Sequence, residues 1–166
     1  MSTPKLKPRP QGLEKPYVKR IIKTMSAVHI RLYRWSGGHI GKKWHVGSAL
    51  RKGVPTCLVT TTGAKSGLPR TVPLLFMPDG DNVVLVASQG GLPSNPAWLY
   101  NVRKNPDVTV QVMRSVRQMR AHVASPDERQ RLWPRLVDLY ADFASYQSWT
   151  DREIPVVVCE PVVAAG

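Results

Sequence analysis

The sequence predicts a mainly β, α+β fold: one small β-barrel set behind a basic, amphipathic N-terminal helix. Three observations carry that expectation. Six short β-branched stretches follow one another closely, only two helical patterns interrupt them, and fifteen prolines and twelve glycines supply turns in number. At 166 residues the chain suits one domain plus an appendage, and it is long enough to bury a core without metal or disulfide staples. The expected division is residues 1–52 as tail and helix, and residues 53–166 as barrel.

Residues 1–16 hold four prolines and no apolar periodicity, so a mobile tail is expected. The pattern changes at Tyr17. At 100° per residue, Val18, Ile21, Ile22, Met25, Val28, Leu32 and Trp35 fall on one side of a helix, and Lys19, Arg20, Lys23, Arg31 and Arg34 on the other. Gly37 and Gly38 end it. Two roles stay open for residues 17–35. The apolar side lies on the barrel or on a partner subunit, or the helix rests on an anionic membrane surface, where each nearby basic residue adds about 1 kcal/mol.

Strands are expected at Thr56–Thr62, Thr71–Met77, Val83–Ser88, Val108–Met113, Val116–Val123 and Ile154–Cys159, with Asp79-Gly80-Asp81-Asn82 as a hairpin turn. Ser94-Asn95-Pro96 caps a helix running to about Lys104, with proline in its first turn. Ser125-Pro126-Asp127-Glu128 is a capping box opening a second helix, which runs to about Tyr140 with Pro134 as a kink.

Composition excludes several function classes. The net charge of +13 suggests a nucleic-acid binder until it is located. Residues 1–52 carry thirteen Lys and Arg against Glu14 alone, whereas residues 53–166 carry eleven against ten acids. The body is therefore nearly neutral and has no basic stripe, so no nucleic-acid partner is expected. No apolar run approaches the ~18 residues of a spanning helix, and the basic, proline-rich start lacks the apolar core of a signal peptide. A cytoplasmic protein is expected. Cys57 and Cys159 sit in β-branched runs and read as buried structural thiols.

Standard catalytic sets are missing. The four histidines lack metal-ligand spacing, and there is no Gly-x-Ser-x-Gly elbow, no Walker loop and no Gly-x-Gly-x-x-Gly turn. An enzyme of this kind needs a bound cofactor to carry the chemistry. Three segments suit that. In Thr60–Pro73 (TTTGAKSGLPRTVP) Lys65 and Arg70 flank a turn with a hydroxyl at Ser66, a setting for an anion such as a phosphate. A solvated hairpin with two surface cations fits the same residues. In Ser88–Asn101 (SQGGLPSNPAWLYN) two glycines precede a helix N-terminus, another anion site, and Trp98 and Tyr100 could wall a planar ring or simply pack. Tyr140, Phe143, Tyr146 and Trp149 suit a lid over a flat substrate, and core packing equally.

Together and in this order, these segments resemble the deazaflavin-dependent nitroreductase family of actinobacteria. The resemblance covers roughly Val54 to Pro161 and is most specific in TTTGAKSGLPRTVPLLF, ASQGGLPSNPAWLYNVRKNPDVTVQV and YQSWTDREIPVVVCEP. It implies a split β-barrel of the FMN-binding, flavin-reductase-like type that uses coenzyme F420. By position, it assigns Ala64, Lys65, Ser66, Arg70, Thr71, Val72, Pro73, Leu74 and Leu75 to the phosphate and ring. Val86, Ala87, Ser88, Gln89, Ala97, Trp98, Leu99, Tyr100, Asn101 and Phe143 complete the groove. Ser88, Tyr140 and Tyr146 face the substrate. The implied reaction is hydride transfer to a quinone or nitroaromatic acceptor, which needs no protein nucleophile, and the fold often dimerises. Two positions depart from the pattern. Phe143 stands where nitroimidazole-activating members have a third lid tyrosine, and Gln89 where relatives often have lysine. Rival readings are an FMN- or haem-binding barrel, and a non-catalytic adaptor working through the basic helix.

Overall fold

The computed structural model describes residues 6–10, 12, 15–50 and 52–162. Residues 1–5 of the expected tail, and the Val18 and Lys19 side chains counted to the two helix faces, lie outside the described residues. Seven strands form the sheet: β1 (Lys43–Trp44), β2 (Val54–Thr62), β3 (Pro69–Asp79), β4 (Asn82–Val86), β5 (Asp107–Val112), β6 (Ser115–Val123) and β7 (Val156–Pro161). All pairings are antiparallel, in the order β1-β2-β3-β4-β7-β6-β5, and β2 pairs again with β5. That last pairing, with Leu58 opposite Gln111 and Thr60 opposite Thr109, closes six strands into a barrel.

The six expected strands are all present, with ends moved by a few residues. β1 was not expected. It is two residues long and exposed, too short to show any periodicity.

Side-chain alternation explains why Val83–Val86 of β4 and Val156–Cys159 of β7 are unbroken apolar runs. Val83 and Leu85 of β4, with Val157 and Cys159 of β7, face the cluster shared by all six barrel strands. Val84, Val86, Val156 and Val158 face an outer layer instead, covered by Leu132 and Leu136 of α3 (Pro126–Leu139). Both faces of these strands are buried, so the amphipathic signal vanishes. Helix α2 (Ala97–Lys104) adds Trp98, Leu99 and Val102 to the barrel cluster. Both cysteines are free and fully buried there, and burial pushes the Cys159 thiol up to about 12.

Three local expectations need correction. The α2 helix starts at Ala97, so Pro96 is its cap residue and no side chain caps it. Lys7, in the segment expected as a mobile tail, hydrogen-bonds to α4 (Asp142–Ser148), a helix that lies beyond the expected end of the preceding one at about Tyr140 and is not itself expected. The third concerns α1 (Pro16–Trp35). It lies on the barrel through Ser26, His29, Ile30 and Tyr33, not through its apolar stripe. Tyr33 is fully buried, donating to the Thr56 carbonyl at 3.0 Å and accepting from the Met113 amide at 2.8 Å. Ile21, Ile22, Met25, Val28 and Leu32 remain exposed, and Trp35 is 82% exposed. The buried Tyr33 ring, with its hydroxyl satisfying two backbone groups, marks the side of α1 that faces the barrel. No helix among the described residues is long and apolar enough to cross a membrane.

Candidate cofactor and acceptor site

Two cavities meet on the barrel's outer surface. The first, about 350 Å³, is lined by the end of β4 (Val86), the following Ser88, Gln89 and Gly90, and the rings of Trp98, Tyr140, Phe143 and Tyr146. Pro73, Leu74 and Leu75 of β3 form its floor. The second is an open trough of about 1150 Å³ along the turn joining β2 to β3, with Ala64, Lys65, Ser66, Arg70 and Thr71 on one bank and Ala97, Tyr100 and Asn101 of α2 on the other. Val72, Gln89 and Trp98 line both, and so does Ser26 of α1.

The trough has a built frame. Asn101 is buried and fixes the turn, its Oδ1 accepting from the Ala64 amide at 2.8 Å and its Nδ2 donating to Thr61 Oγ1 at 2.9 Å. Lys104 Nζ donates to the Ala64 carbonyl at 2.6 Å. The Lys65 and Ser66 amides have no protein partner among the described residues. A turn presenting unpaired amides between Lys65 and Arg70, with Lys23 of α1 overhead, attracts an anion. At the junction, Gln89 adopts φ 48°, and its Oε1 is buried without a partner among the described residues.

Arg152 braces the loop of residues 87–95, which borders both cavities. Its guanidinium donates to the carbonyls of Leu92 (3.0 Å), Ala87 (3.3 Å) and Ser88 (2.9 Å) and to Asn95 Oδ1 (2.9 Å). Gly91 (φ +76°) passes so close to the Tyr146 backbone that an added Cβ would stand 3.0 Å from Tyr146 Cα. On the opposite wall the Tyr140 and Tyr146 hydroxyls lie 3.2 Å apart. Burial raises both phenols above the ordinary value, and their hydrogen bond raises Tyr140 further while offsetting part of the rise in Tyr146. Both therefore stay protonated in neutral solution and can donate.

Most residues assigned by resemblance gather here. Ala87 and Leu99 do not line either cavity: both are fully buried in the barrel cluster. The sequence reading missed Lys23, Ser26 and His29 of α1, with Trp44 of β1 and Thr56. The α1 residues gave no signal because Ser26 and His29 lie on the barrel among its polar positions, and periodicity arguments follow apolar residues.

Against known proteins, the F420H2-dependent quinone reductase family model matches residues 25–161. The chain belongs to that family. As an F420H2-dependent quinone reductase family member it is an oxidoreductase, and coenzyme F420 is its cofactor. A Mycobacterium tuberculosis protein assigned to the F420H2-dependent quinone reductases is 50% identical over 116 residues, spanning 70% of this chain and 98% of its own. An F420H2-dependent quinone reductase of the same organism is 37% identical over 134 residues, covering 79% and 86%. Two solved structures share 43% identity over 64% of this chain. One is an F420H2-dependent reductase (TM-score 0.60, 94% of that chain), the other a domain-swapped dimer (TM-score 0.61, 80% of that chain). The split-barrel expectation holds. The residues also fit the cofactor, since the trough offers cations and free amides to an acidic tail, and the orphaned Gln89 Oε1 offers an acceptor beside the Trp98 ring.

Proposed function

We propose that this F420H2-dependent reductase passes a hydride to a quinone, with nitroaromatic compounds as a second acceptor class. The junction of the two cavities carries the reading. A polar, cationic trough opens into an aromatic pocket across Gln89, Val72 and Trp98, so that two flat molecules would meet face to face.

Reduced coenzyme F420, when bound, supplies the hydride, so no protein nucleophile is required. Lys65, Arg70 and Lys23 hold the anionic tail, with the Lys65 and Ser66 amides. Ala64, Thr71, Ala97, Tyr100 and Asn101 shape the trough, while Val72, Pro73, Leu74, Leu75, Val86 and Trp98 bound the ring. Gln89 accepts a hydrogen bond at its edge. Ser88, Tyr140 and Tyr146 face the acceptor, with Phe143 closing the apolar side. The Tyr146 hydroxyl donates to the acceptor oxygen as that atom gains charge, with the Tyr140 hydroxyl beside it as its hydrogen-bond partner. An apolar trough of about 620 Å³, lined by Met25, Leu32, Ile40 and Trp44, joins the pocket beside His29 and Pro73 and leaves room for a hydrophobic acceptor substituent.

Residues 17–35 are read as a peripheral membrane contact through the exposed stripe. The competing occupant of the stripe is a second copy in a homodimer, as the domain-swapped relative suggests.

Titration of the purified chain with F420 and with FMN, followed by tryptophan fluorescence, tests the cofactor assignment, because Trp98 lines both cavities. Saturable quenching by F420 alone is expected, followed by acceptor-dependent oxidation of F420H2 with menadione. Binding of FMN but not F420 would keep the barrel and overturn the chemistry.

A further inference from the structure

The N-terminal segment and the acceptor pocket are joined by one buried charge. Asp142, at the start of α4, is 6% exposed. Lys7 Nζ lies 2.5 Å from its Oδ1, and the Ser48 amide donates to its Oδ2 at 3.0 Å. The Asp142 amide returns a bond to Ser48 Oγ at 3.2 Å. Burial pushes this carboxyl up, but Lys7, Ser48 and the neighbouring Tyr140 hydroxyl outweigh it and leave its pKa below the ordinary carboxylate value. Lys7 is its only salt-bridge partner among the described residues.

Lys7 does more than neutralise. Its amide donates to Ser145 Oγ at 3.0 Å, and its carbonyl accepts from Trp149 Nε1 at 2.7 Å. One residue therefore grips the start, middle and end of α4, the short helix that presents Phe143 and Tyr146 to the pocket. On the inner side, Gly47 (φ +65°) lies against the same carboxylate, where an added Cβ would collide with Asp142 Oδ2 and reach 2.9 Å from the Tyr140 hydroxyl. The Asp142 carboxylate and the Tyr140 hydroxyl thus border the same spot beside Gly47, and Tyr140 bonds Tyr146, so the contacts run from Lys7 through Asp142 to the tyrosine pair.

We propose that Lys7 is a positioning residue: acting through Asp142, it straps α4 to the body and fixes the Tyr140–Tyr146 pair in the acceptor pocket. The role in turnover rests on reading that pocket as the acceptor site. The strap itself does not. Nothing in the trough touches Lys7, so cofactor binding should be unaffected by its loss.

The test compares the full-length wild-type chain with Lys7→Met, Lys7→Arg, Asp142→Asn and the Lys7→Met/Asp142→Asn double variant. Hydrogen–deuterium exchange of residues 141–149 without any ligand reads the strap, and kinetics with F420H2 and menadione read the pocket. Lys7→Met should speed exchange in that segment and raise the acceptor KM about fivefold, with F420 affinity within about twofold of wild type. Lys7→Arg should restore both. In the Asp142→Asn background the further effect of Lys7→Met should vanish, as coupled groups require. That background also removes the unpaired buried charge should Lys7→Met fail to fold. Unchanged exchange in Lys7→Met overturns the strap, and faster exchange with an unchanged acceptor KM overturns the positioning role. A wild-type chain that does not oxidise F420H2 sinks the acceptor reading and that role with it. The ligand-free exchange result separates this failure from failure of the strap.

Discussion

At Gln89 two costs coincide. Its backbone lies in the left-handed region, and a buried side-chain oxygen goes without a partner among the described residues. Each is worth roughly 1–3 kcal/mol. Such costs persist where a ligand relieves them. Replacing Gln89 with glycine removes both, while the freedom glycine gives the unfolded chain offsets part of the gain, so Gln89→Gly is expected to raise Tm by about 2–4 °C for each kcal/mol that remains. The same change should weaken F420 binding about tenfold, close to 1.4 kcal/mol. Thermal melts and the fluorescence titration check the two signs separately, and equal F420 affinity would count against the role at the ring edge. The resemblance pointed to this position as a departure from lysine. The strain was not legible, because glutamine carries no local signal for positive φ. Ala87 and Leu99 show the converse: assigned by position within matching segments, they face the core, since alternate residues of an extended chain and every third or fourth of a helix look inward.

Among elements, α3 was the most legible. The Ser125 side chain accepts from the Glu128 amide at 3.3 Å, and Glu128 Oε2 accepts from the Ser125 amide at 2.8 Å. Such a box is local in sequence, so four residues suffice to announce it. Ser125→Ala should cost about 1 kcal/mol, read as a lower Tm. The backbone hydrogen bond from Ser125, then the contact with His122, hold the Glu128 carboxyl below the ordinary value of 4.5. Its contribution to stability is therefore complete above that pH, and is lost as acid takes the pH down through the lowered folded value. The Tm difference between Glu128→Gln and wild type should accordingly narrow in strong acid. The opposite case is α4. It has seven residues and no side-chain cap, and its aromatic spacing suited a lid and a core equally. Contacts from far apart in sequence decide its place, those of Asp142 with Ser48 and Lys7 among them.

For the whole molecule, the barrel was legible because six strands and their turns each leave local marks. The part played by α1 in the site was not, because a stripe of Ser26, His29 and Tyr33 looks like the polar face of an amphipathic helix. Its consequence is an exposed apolar stripe on the most basic part of the chain. The chain should therefore cosediment with vesicles containing phosphatidylglycerol and not with neutral ones, and the binding should fall with salt. Ile22→Glu with Met25→Glu should reduce it at least about tenfold without lowering Tm, since both residues are more than half exposed. Unchanged vesicle binding would remove the stripe from that role, and a dimer by sedimentation would give it to a second copy.

The last strand in the sequence, β7, is inserted between β4 and β6. On the ribosome, β4 therefore emerges with one edge open, and residues 87–155 must follow before Val156–Cys159 can pair with Val83–Val86. At ~5–20 residues per second that gap stays open for several seconds. During that time a β-branched, wholly apolar edge is available to any other nascent chain. Yield in the cell should thus be limited by events before the C-terminal strand arrives, and loss of a few residues there would leave the ring unable to shut at all.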